Sequence, residues 1–141
     1  MTDRSTNDQG DAFIAKHGND FVKADNLVQQ GKHEEAVRIF HDLLGLPSNA
    51  YVKAIMWINI ATIRIAMGQP EEALRAYDEA SILERSYNGF LAQEHKAYHL
   101  AKMGQINESL TILEALLRRT DHKKEDVERI EANVKMLRGS R

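Results

Sequence analysis

The sequence predicts an all-α fold made of repeated helical hairpins, and three observations carry that prediction. The composition comes first: 43% apolar and 28% charged residues can fill a core and keep a surface wet, while only two prolines and 6% aromatics favour helix over a β-sandwich. Second, a short signature recurs: GKHEEA at 31–36, GQPEEA at 68–73 and GQINES at 104–109, its glycines 37 and 36 residues apart. A period in that range points to stacked hairpins. Third, each signature lies between two helix-like runs. Its glycine suits a helix C-terminus, where a left-handed residue is needed. The acidic residues that follow suit the positive end of the next helix, and Pro70 sits where a helix start tolerates proline.

The elements follow in order. Residues 1–10 are polar and acidic and are expected to form a loosely ordered tail. Phe13 and Ile14 can form an extra turn over the first hairpin. Repeats are expected at about 17–50, 54–87 and 90–120, within a single domain spanning 11–141. In each, a small residue of the first helix (Ala24, Ala61, Ala97) meets a small residue of the second (Ala36, Ala73, Ser109), so the two backbones can approach closely. Phe40, Tyr77 and Leu113 fill the space beside them. A last helix is expected over about 122–138 with Asp121 as its N-cap. Val127, Ile130, Val134 and Leu137 give it one apolar stripe, as a capping helix requires.

The stretch AIMWINIATIRIAM at 54–67 is apolar almost all round. It is too short to span a bilayer, which takes about 20 apolar residues, and Arg64 would lie inside it. It reads as the first helix of the central repeat, with Met56, Trp57, Ile60, Ala61 and Ile63 buried.

These residues resemble the tetratricopeptide repeat (TPR) family, whose pattern runs W-x2-L-G-x2-Y, then A-x3-F, then P. The middle repeat offers Trp57, Ile60, Ala61 and Arg64, then Ala73 and Tyr77. The first offers Asp20, Lys23, Ala24 and Leu27, then Ala36 and Phe40, with Pro47 near its end. The third offers Gln93, Lys96, Ala97 and Leu100, then Ser109 and Leu113. The period exceeds the family's usual value of about 34 by two or three residues, so the connections or helix ends should be longer. The resemblance implies a right-handed α-solenoid of about seven helices, whose first helices line a concave groove that receives a peptide or helix. Carried over by register, that groove comprises Phe21, Val22, Asp25, Ile55, Ile58, Asn59, Thr62, Ile65, Leu91, His95, Tyr98 and Lys102.

The family's chaperone-tail clamp grips a carboxylate with Lys, Asn and Arg. Here those places hold Phe21, Asp25, Asn59, Leu91 and His95, and only Asn59 matches; a shift by one repeat again gives a single match. An apolar segment is the better ligand. Ile58→Glu is then expected to abolish partner capture with helix content unchanged.

Other classes find little support. The net charge of −2 gives no electrostatic case for nucleic acid or acidic lipid. The absence of cysteine removes disulfides, thiolate zinc sites and thiol nucleophiles and fits the cytoplasm. His95 and His99 stand four apart but have no evident third ligand, so no metal is expected. No phosphate loop or nucleophile elbow occurs, so no catalytic residue, cofactor or small-molecule substrate is expected. The expected function is a cytoplasmic protein–protein interaction module, an adaptor or scaffold with a protein or peptide partner. The alternative is a structural homo-oligomer, such as a homodimer, that buries the same apolar surface.

Overall fold

The computed structural model describes residues 2–140, and residues 2–9 in their backbone only. Seven α-helices and one 3-10 turn make up the described residues, and no strand occurs among them. They form two compact units, Met1–Ala92 and Gln93–Arg141, where the sequence suggested one domain.

The first unit holds α1 (Thr2–Gln29), α2 (His33–Leu44), α3 (Ala50–Ala66), α4 (Pro70–Glu84) and the turn Arg85–Tyr87. The helix α5 (Leu91–Lys102) begins at its edge. The second unit holds the rest of α5, with α6 (Ile106–Leu117) and α7 (Lys124–Gly139).

The recurring signature folds three times into the same turn. Gly31, Gly68 and Gly104 have φ of 77°, 72° and 84°. In each case the glycine N–H donates three residues back and the next N–H donates five back: Gly31 to Val28 at 2.9 Å and Lys32 to Leu27 at 2.8 Å. Gly68 to Ile65 and Gln69 to Arg64, then Gly104 to Ala101 and Gln105 to Leu100, repeat the pair at 2.9–3.0 Å. This double bond closes a helix end through a left-handed residue. The following helix then starts with Glu34 and Glu35, Glu71 and Glu72, or Glu108 in its first turn. A Cβ at Gly68 would meet nothing within 4 Å, so its φ alone opposes substitution. Gly68→Ala should cost about 1 kcal/mol, read as a lowered urea midpoint with unchanged slope.

The close approach of paired helices also follows the sequence. Ala24, Ala36, Ala61, Ala73, Ala97 and Ser109 are all fully buried. Ser109 stands where the other repeats carry alanine, and its hydroxyl donates to the Ala97 carbonyl at 2.6 Å. The extra polar atom is thus satisfied across the hairpin.

Several boundaries differ from expectation. Helical backbone runs from Thr2, in the segment expected as a loose tail. Gly10 packs on Tyr51 and Val52, and a helix anchored there extends at little cost, because propagation is far easier than nucleation. The helix kinks at His17, where φ/ψ leave the helical region. Phe13 packs against the core while Ile14 stays exposed. The central helix α3 starts at Ala50, four residues early, because the Asn49 side chain caps it, accepting from Val52 N–H at 2.9 Å. Asp121 does not cap α7. Arg119 holds its carboxylate through two hydrogen bonds, at 3.0 and 2.6 Å, and pulls it below its ordinary pKa. The helix α7 therefore begins after Lys123; of the predicted stripe it buries Ile130, Val134 and Leu137, while Val127 is half-buried.

After α4 the chain turns back through Asn88, at φ 57°. The buried Glu84 carboxylate accepts the Ala92 N–H at 3.1 and 3.2 Å, holding the first turn of α5. Tyr87 stacks edge-on against Tyr51, with ring centroids 5.6 Å apart. Burial, then the Glu84 charge, then Tyr51 push its hydroxyl well above the ordinary tyrosine pKa. The unfolded tyrosine ionises at about pH 10, so this contribution is complete below that value and fades as the pH climbs towards the folded pKa. Stability should fall on the alkaline side, and Tyr87→Phe should make the fall shallower in urea melts at high pH.

Candidate functional site

The first unit contains a cleft of about 270 Å3 between α1 and α3, floored by α2. Phe21, Ala24, Asp25 and Val28 come from α1, Phe40 from α2, and Asn59, Thr62 and Ile63 from α3. The spacing of 21, 24, 25 and 28 places one face of α1 along it, and 59, 62 and 63 do the same for α3. The Phe21 ring rests against Phe40, centroids 5.8 Å apart. The floor is therefore apolar and firm.

Its polar groups differ in how far the fold already occupies them. Thr62 donates to the Ile58 carbonyl at 3.0 Å and bonds the Tyr77 hydroxyl, whose pKa burial raises and this bond lowers. Among the described residues Asp25 accepts from Gln29 alone, at 3.2 Å. The Asn59 carboxamide is half-buried and makes no hydrogen bond among the described residues. A carboxamide offers two donors and an acceptor, and polar groups in such surroundings normally have partners. Asn59 is thus set to bond whatever enters.

Of the twelve residues assigned to a groove from sequence, Phe21, Asp25, Asn59 and Thr62 meet in this cleft. Val22 is exposed on α1 outside it, and Ile55 and Ile65 are half-buried, Ile65 against the core. Leu91 is exposed at the start of α5. Ile58 is a correction: it is buried. The helix α3 packs against α1, α2 and α4, so its apolar residues on nearly every side are spent on the core. Ala24, Val28, Phe40 and Ile63 complete the lining outside that set; Val28, one turn beyond Asp25, belongs by helical spacing to the same row of the first repeat.

The second unit carries its own hollow of about 240 Å3 beside Tyr98, Lys102, Leu113 and Met136. The Lys102 ammonium lies 5.3 Å from the Tyr98 ring centre. His95 is exposed and outside this hollow. Glu94, at its edge, is held by Arg129, which also bonds Asp126 at 2.9 Å. Burial, and then Lys102, lower the pKa of His99. No group of three or more His, Asp or Glu able to hold a metal occurs among the described residues. A third hollow, about 540 Å3, opens between Phe13, Lys16 and His17 on one side and Leu46, Pro47 and Ser48 on the other. No described helix is long and apolar enough to cross a membrane.

No protein-family model and no curated protein matches the chain. Solved structures do. The Yersinia enterocolitica type III secretion chaperone SycD, in complex with a peptide of the translocator YopD, is 21% identical over 89% of this chain and 95% of that one, with a TM-score of 0.63. PcrH in complex with the chaperone binding region of PopD is 19% identical over 89% and 93%, at 0.64. A type III secretion complex from Aeromonas hydrophila is 19% identical over 89% and 83%, at 0.65. At these identities the likeness shows the fold: an all-helical, TPR-like arrangement of hairpins.

Proposed function

We propose that this chain is a non-catalytic binding protein of the tetratricopeptide type, which takes a linear segment of a partner protein into the cleft between α1 and α3. The observation that carries the proposal is the pairing of an apolar floor, Phe21 on Phe40, with the uncommitted Asn59 carboxamide. An apolar floor gains free energy by burying a side chain, and a free carboxamide matches the donor and acceptor of a peptide group. Two of the structural neighbours were solved with partner segments bound, a peptide of the translocator YopD in one and the chaperone binding region of PopD in the other. That supports a chaperone-like role towards a secreted partner, exercised in the cytoplasm.

The test is selection from a display library of linear peptides on the full chain, followed by calorimetry on the selected sequences. Saturable one-to-one binding is the expected result. A chain that selects no peptide, or whose selected peptides bind equally well after thermal unfolding, would overturn the proposal.

A further inference from the structure

We infer that the α1–α3 cleft selects segments in which an aliphatic side chain is accompanied by a neighbouring lysine or arginine, with Asp25 as the counter-charge. This rests on the proposed peptide-binding role and adds the chemistry of the ligand. Among the residues that line the cleft, Asp25 is the one ionisable group. Its carboxylate is exposed and accepts from the neutral Gln29 side chain, and no cation pairs with it among the described residues.

The nearby cations are turned elsewhere. Lys23 lies two positions away on α1, a spacing that sends side chains to different faces of a helix. Arg64 of α3 is bound to Glu34 at 3.0 Å and to Gln69 at 2.9 Å. A ligand that brings its own cation completes the cleft, and one that brings a carboxylate meets a like charge. The apolar floor fixes where the aliphatic side chain goes, and Asn59 engages the main chain beside it. The basic residue then lies at the α1 rim.

The probes are the tightest peptide selected on the full chain and its copy with the basic residue changed to glutamate. For the wild type the basic peptide should bind about fivefold more tightly at low salt, and the margin should shrink as salt rises. Asp25→Lys should reverse the preference, with the glutamate copy now the tighter ligand; circular dichroism checks that this exposed substitution leaves the helices intact. Peptides that bind without a basic residue, or an affinity unmoved by Asp25→Lys, would overturn the charge assignment while leaving peptide binding standing. Failure to select any peptide would overturn both.

Discussion

Ile58→Glu should unfold the first unit. The side chain is buried in a helix with neighbours on three sides. Seating a glutamate there places a carboxylate among apolar atoms or forces the helix to shift. Either outcome costs about 3–5 kcal/mol, against a total stability of about 5–15 kcal/mol for an ordinary domain. Thermal melts by circular dichroism should show lost helix content or a collapsed midpoint, whereas Ile58→Val should cost only about 1 kcal/mol. A glutamate variant with native helix content and a native midpoint would show that the position faces solvent.

The second large effect concerns binding without folding. Thr62 is exposed at the wall of the cleft, so Thr62→Trp should fill the space while leaving the hairpins in place. Peptide affinity should fall more than about tenfold, equivalent to about 1.4 kcal/mol. Asn59→Ala should weaken binding by a comparable amount, about 1–2 kcal/mol, because the ligand's peptide group loses its partner on entering the cleft. Ile82→Ala, on an exposed residue of α4 outside the cleft lining, serves as the control and should bind normally. Titration calorimetry with one selected peptide on all three variants decides the matter.

The repeat was legible because it rests on backbone necessity. A left-handed turn closed by two hydrogen bonds favours glycine, so Gly31, Gly68 and Gly104 mark the hairpins wherever they occur. The close helix pairs need small residues, and the stripe on α7 needs one apolar face; both could be read from spacing. The division of α3 could not. On a helix apolar nearly all round, the 3.6-residue period carries no contrast, so Ile58 and Asn59 look equally fit to face a ligand. Only the positions of α1, α2 and α4 show that Ile58 enters the core while Asn59 and Thr62 reach the cleft. Asp121 was hidden for another reason: it is a good N-cap by type, but Arg119, two residues earlier, competes for the same carboxylate. The early start of α1 depends on Gly10 meeting Tyr51, a contact between residues far apart in the chain.

The central claim is that a linear peptide lies between α1 and α3 of the first unit against Asn59. The most direct measurement is a peptide titration of the isotope-labelled full chain by NMR, following the Asn59 side-chain amide signals, which Asn59→Ala identifies by their loss. Those signals should shift at saturation together with the backbone signals of Asp25, Val28 and Thr62. Binding that leaves the Asn59 amide in place while signals around Phe13 and Leu46 move instead would contradict the claim.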